Sequence, residues 1–129
     1  MAEPATVTVK VEMTLLDMLI KQCQKDSKEW FPKAADTTST NPEERRRAIV
    51  HHALALAGEA GEVADWVKKL DRGSYDITSE IFQRSVKEEI VDVFIYVLNL
   101  AGAFEMDLLK AYLTKREKNV QRFAGGKGR

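Results

Sequence analysis

Apolar residues recur at helical spacing in four separate stretches of the chain. In the first, Leu15, Leu16, Leu19 and Ile20 fall on one side, and Thr14 with Asp17 three residues later marks the start. Trp30 and Phe31 stand near its end, and Pro32 stops it. The run Asn41-Pro42-Glu43-Glu44 opens the second: asparagine caps, proline suits the first helical position, and Glu44 has the capping-box spacing. This helix is expected to reach about Arg72, with Gly73 as its stop. A connection follows, with room for a short helical turn at residues 79–82. Ser85 and Glu88 then give another capping-box spacing, so a third helix is expected from Val86 to about Ala103. Asp107 caps a fourth, to about Phe123.

The segments outside this pattern are short. Residues 33–40 are small and polar and read as a loop. Residues 6–11 alternate with period two, which is a strand pattern; a single strand makes no sheet, so residues 1–13 read as an extended arm, loosely docked or paired with a partner chain. The glycine-rich end, residues 124–129, reads as a flexible tail. The expectation is one all-α domain over residues 14–123, built as a four-helix bundle. With 129 residues there is room for one core and not two.

Composition narrows the function classes. Hydrophobic residues are 44% and charged residues 31%, a soluble globular balance. Lysine plus arginine equals aspartate plus glutamate, so binding to nucleic acid irrespective of sequence is disfavoured. Cys23 is the single cysteine, which excludes an intrachain disulfide and suits a reducing cytoplasm. The N-terminal residues lack the basic and apolar regions of a signal peptide. Residues 90–104, the most apolar stretch, are too short and too polar for a membrane span.

The acids are placed where they change the picture. At about 100° per residue, the second helix puts His52, Leu56, Val63, Trp66, Val67 and Leu70 on one stripe. Glu59 lies in the middle of that stripe and Glu62 one turn on, to its side. A solvated face would have put them opposite Trp66. The third helix is apolar around most of its circumference, which implies burial on most sides. Its polar residues form one strip, Glu88, Glu89, Asp92, Tyr96 and Asn99. If the two helices pack antiparallel, Glu59 and Glu62 face Glu89 and Asp92.

Two like charges about 4 Å apart repel by roughly 4 kcal/mol at an effective dielectric near 20. Several such pairs would rival the whole stability of a small domain, about 5–15 kcal/mol. Something has to neutralise them, and an all-oxygen ligand set with no His or Cys suits a hard cation, Mg²⁺ with Mn²⁺ as a substitute, before Zn²⁺. The fourth helix carries the opposite sign: Lys115, Lys118, Asn119 and Arg122 share one face. Acids with a cation on one side and bases on the other suit a polyphosphate ligand. His52 on the apolar stripe reads as a core histidine.

Glu59-Ala-Gly-Glu62, after Leu56-Ala57-Gly58 and followed later by Glu89-Ile90-Val91-Asp92, resembles the ExxE…ExxD signature of the MazG-like all-α nucleoside triphosphate pyrophosphohydrolases. The resemblance runs from about Ile49 to Phe123 and takes in the ending Lys-Arg-Glu-Lys-Asn-Val-Gln-Arg-Phe. It implies Mg²⁺-dependent cleavage between the α- and β-phosphates, giving a monophosphate and pyrophosphate. It implies Glu59, Glu62, Glu89 and Asp92 as metal ligands, with one of them a base for the attacking water. It also implies Lys115, Lys118 and Arg122 as phosphate-binding residues. Tyr96 and Asn119 resemble sugar- and base-proximal positions of the deoxycytidine triphosphate pyrophosphatase branch, and Trp30 resembles its base-stacking tryptophan. It further implies a homodimer or homotetramer in which helices of two subunits complete core and site.

Two other classes compete. A di-iron or di-manganese bundle needs Glu-x-x-His pairs, and the chain has none. A non-catalytic helical dimer that binds nucleotide as a regulator would fit the same fold, although all four signature acids are intact.

Overall fold

A computed structural model describes residues 13–124. The expected extended arm, Met13 apart, and the glycine-rich tail beyond Ala124 lie outside the described residues. Four helices follow one another: α1 (Leu15–Trp30), α2 (Pro42–Asp71), α3 (Glu80–Ala103) and α4 (Leu108–Phe123). The described residues are all-helical, as expected.

The helix starts follow from local chemistry. Thr14 and Asp17 exchange hydrogen bonds in a full capping box ahead of α1. Asn41 accepts from the amides of Glu43 and Glu44 at the head of α2. The expected reciprocal bond from Glu44 is relayed instead: the Ser39 hydroxyl donates to Glu44 and accepts from the Asn41 amide. Gly73, at φ 77°, ends α2 in the left-handed region that a Cβ would disfavour. Asp107 caps α4 through the Lys110 amide.

The third helix corrects the expectation. It begins six residues before Val86, because Ser79 caps it by accepting from the Phe82 amide. The turn expected at residues 79–82 is the first turn of α3, and Ser85 sits inside the helix. No glycine or proline interrupts residues 80–86, so nothing separates the two pieces.

Helices α2 and α3 form an antiparallel pair, and α1 packs on α3. The seam of the pair has rungs at seven-residue intervals. Arg45 donates to the Ala103 carbonyl at 3.1 Å. His52 and Tyr96 face each other with ring centroids 6.0 Å apart. Glu59 meets Glu89, and Trp66 meets Phe82 edge-on at 6.4 Å. A period of seven keeps the same positions in contact along two helices, as in a coiled coil. Here a carboxylate rung occupies a place where leucines would normally stand.

The apolar core is small. Ile20, Leu98 and Ala101 form its centre, with Leu16, Cys23 and Leu108 packed around them. Burial pushes the Cys23 thiol up, with Asp26 adding to it, which keeps the thiol protonated and unreactive. Ser27 of α1 donates to the buried Asn99 of α3 at 3.0 Å and ties the two helices. The expectation that α3 is buried on most sides fails within one chain: its polar strip faces α2 and α1, and Ile90, Val91, Phe94 and Ile95 face outward. Val67, expected on the core stripe of α2, is also exposed.

Candidate metal centre

The Glu59–Glu89 rung brings the acids together. Glu59, Glu89 and Asp92 each offer a carboxylate oxygen, and the three oxygens lie within 4.8 Å of one another. Helical spacing places Asp92 one turn from Glu89, and Glu62 one turn from Glu59 on the exposed flank of α2. Glu62 comes close enough to share a proton with Glu89. Three of the four expected acids, Glu59, Glu89 and Asp92, are therefore in one cluster, and Glu62 borders it beside Glu89. Glu88, on the outer edge of the strip, is exposed and stands apart.

The electrostatics of the cluster are unfavourable without a cation. The Glu89 carboxyl is pushed up to about 7 from 4.5. The largest cause is the proton it shares with Glu62 and then Glu59; desolvation and the charges of both neighbours push the same way. One oxygen of Glu59 and one of Glu89 are shut off from solvent with no hydrogen-bond partner. The ion pairs of the described residues, Arg46–Glu43 and Lys68–Asp65, lie elsewhere. Tyr96, one rung away, has its hydroxyl pushed up by burial first and then by Glu59 and Asp92. It stays a neutral donor beside the acids.

These residues fit a hard divalent cation. Every donor is an oxygen, two of the oxygens lack any other partner, and a cation would replace the shared proton. Glu59, Glu89 and Asp92 would hold it, with Glu62 alongside.

The basic face falls elsewhere. Helix α4 docks against α1 and buries none of its residues. Lys115 and Lys118 line a surface hollow with Asp107, Lys110, Ala111 and Thr114. Helix α4, which carries Lys115, Lys118, Asn119 and Arg122, does not pack closely on the α2–α3 seam that holds the acids. The reason is that α4 follows the short turn at residues 104–107 onto the α1 side of the bundle. Trp30 is 66% exposed at the end of α1, whereas its neighbour Phe31 stacks toward His51 at 6.3 Å.

One feature of the site had no reading as an active part in the sequence. His52 is a core histidine as expected, but its ring also reaches the loop, with Nε2 3.1 Å from the Ala35 carbonyl. The signal available was its place seven residues before Glu59.

The chain is similar to known proteins over part of its length. Over 73 residues the chain is 34% identical to dCTP pyrophosphatase 1 of Rattus norvegicus, covering 54% of this chain and 42% of the relative. The figures are the same for dCTP pyrophosphatase 1 of Mus musculus. Over 89 residues it is 29% identical to the Gene 37 protein of Mycobacterium phage L5, covering 69% of this chain and 71% of that protein. The matched stretch thus spans less than half the length of the rodent relatives. No family model matches the chain.

Proposed function

We propose that this protein is a MazG-like nucleoside triphosphate pyrophosphohydrolase. It would cleave the α–β phosphate bond of a deoxy or modified nucleotide, in a role such as nucleotide-pool cleaning. The observation that carries the reading is the carboxylate rung: half-buried acids on two helices share one seam, with two unpartnered oxygens and no ion pair to a basic residue among the described residues. The partial similarity to dCTP pyrophosphatase 1 supports the same chemistry.

Glu59, Glu62, Glu89 and Asp92 hold Mg²⁺, with Mn²⁺ able to replace it. When bound, the cation neutralises the polyphosphate and makes a bound water more acidic. A carboxylate oxygen of the cluster that does not ligate would serve as the base for the attacking water. Tyr96, kept protonated, donates toward the sugar side of the nucleotide. Lys115, Lys118, Asn119 and Arg122 take the phosphate and base contacts from a second copy, a reading supported by the packing of α4 on α1 and not on the α2–α3 pair. Trp30 is the expected base-stacking residue. The exposed apolar face of α3 supports such a homodimer or homotetramer. No described helix is long and apolar enough to cross a membrane; a cytoplasmic site of action belongs to the proposal.

The test is a panel of canonical and modified NTPs and dNTPs, with monophosphate and pyrophosphate separated by chromatography. Release is expected in Mg²⁺ and not in EDTA. Glu59→Gln and Asp92→Asn should lower it at least about a hundredfold, as loss of a charge-stabilising group does. Nucleotide that raises the melting temperature with Mg²⁺ but is never cleaved would replace the enzyme reading with that of a nucleotide-binding regulator.

A further inference from the structure

The rung next to the carboxylates is held by a contact that the metal chemistry does not need. His52 is 1% exposed and Ala35 is 0% exposed. The Ala35 carbonyl can only accept, so Nε2 of His52 carries the proton and donates to it at 3.1 Å. Nδ1 is then a bare acceptor, and it is buried without a partner. Burial favours this neutral form.

The same imidazole lies in a row of rings. Phe31 and His51 have centroids 6.3 Å apart. His51 and His52 meet edge to face at 5.2 Å, and His52 and Tyr96 are 6.0 Å apart. At one end, Tyr96 feels the charges of Glu59 and Asp92. At the other, Phe31 caps α1 and opens the connection to α2. His52 precedes Glu59 by seven residues, about 10.5 Å along the helix at 1.5 Å per residue. Ala55, small and half-buried, stands between them on the flank shared by His51 and Glu62. The row thus crosses α2 at the level of His52, from Tyr96 next to the acids to Phe31 at the start of the loop.

The loop is held at few points. Gln24 of α1 donates to the buried Thr37 at 3.0 Å, across Gly102, where any Cβ would collide with the Gln24 side chain. The His52–Ala35 bond is the point of attachment nearest the row.

We propose that His52 is a positioning residue: by holding Ala35 it fixes the α1–α2 connection and Phe31 at the far end of the aromatic row. It thereby sets where the nucleoside half of a metal-bound nucleotide lies. This rests on the nucleotide reading above. Aromatic faces accept any base by stacking, so Phe31, the 55% exposed end of the row, supplies affinity for a nucleoside, and bare polyphosphate gains nothing from it.

The test compares His52→Leu, which fills the volume without a donor, with His52→Gln, whose amide nitrogen restores one. In His52→Leu, KM for the nucleotide is expected to rise roughly three- to tenfold, in line with loss of one buried hydrogen bond. Turnover and the Mg²⁺-induced rise in melting temperature should hold, and the amides of residues 34–38 should exchange faster with deuterium. His52→Gln should return KM and exchange toward wild type. Phe31→Ala, which leaves the latch intact, should raise KM by roughly five- to a hundredfold if a base stacks on the row; it decides the matter if His52→Leu does not fold. Equal KM in His52→Leu, His52→Gln and wild type, or an unchanged KM in Phe31→Ala, would overturn the proposal. If wild type cleaves no nucleotide but exchange still separates Leu from Gln, the function reading fails while the latch stands; if exchange does not separate them, the latch fails too.

Discussion

Glu89 is the residue at which folding and function pull apart. Its carboxyl titrates near 7 in the folded protein and near 4.5 otherwise. The folded state therefore binds a proton more tightly. Its contribution to stability is complete below about pH 4.5 and is lost as pH rises through 7. His52 acts in the opposite sense: burial lowers it, so its contribution is lost as pH falls through the ordinary histidine range. The two are separated by the cation. Without metal, melting should fall between pH 5 and 8 in wild type, and less so in Glu89→Gln. Mg²⁺ should raise the melting temperature more at pH 8 than at pH 5, because it replaces the shared proton. A rise equal at both pH values would contradict this assignment. Glu62→Gln removes a repulsive neighbour on the exposed flank. It should leave thermal stability equal or higher while turnover drops by orders of magnitude; a fully active variant would remove Glu62 from the site.

The elements are set by their caps more than by their apolar faces. Asn41 satisfies two amides at the start of the longest helix, so Asn41→Ala should cost about 1 kcal/mol in denaturant unfolding. Those caps were legible, and so were the ends of α1 and α2 at Trp30 and Gly73. The start of α3 was not: Ser79 and Ser85 both have capping side chains, and the pattern does not say which one is outside the helix. The outward turn of α3 was also hidden. Its strip of Glu89, Asp92, Tyr96 and Asn99 looks like a solvent face by composition, yet it lies against α2 and α1 because its groups are satisfied there or by a ligand. Ser27 with Asn99 shows the first case, and the bare oxygens of Glu59 and Glu89 show the second. The contact from His52 to Ala35 depends on a loop conformation, and no periodicity encodes it.

At the scale of the whole molecule, the two halves of the proposed chemistry are carried by different helices. The acids lie in the α2–α3 seam, the bases lie on α4, and Ile90, Val91, Phe94 and Ile95 are exposed. The proposed homo-oligomer would cover this apolar face. Light scattering should give a dimer or tetramer, and Phe94→Asp should shift it toward monomer while keeping helical content. Activity should fall with the oligomer, since Lys115, Lys118 and Arg122 would then reach no acidic cluster. A Phe94→Asp monomer with full activity would show that one chain holds a complete site.

The most direct test of the account is a Mn²⁺ titration followed by electron paramagnetic resonance of the free ion. Wild type should take up Mn²⁺ at pH 8 and lose affinity at pH 5.5 as Glu89 regains its proton. Glu59→Gln and Asp92→Asn should bind far more weakly, and Mg²⁺ should compete. Binding that is unchanged in both variants, or absent from wild type at pH 8, would contradict a cation site at the carboxylate rung.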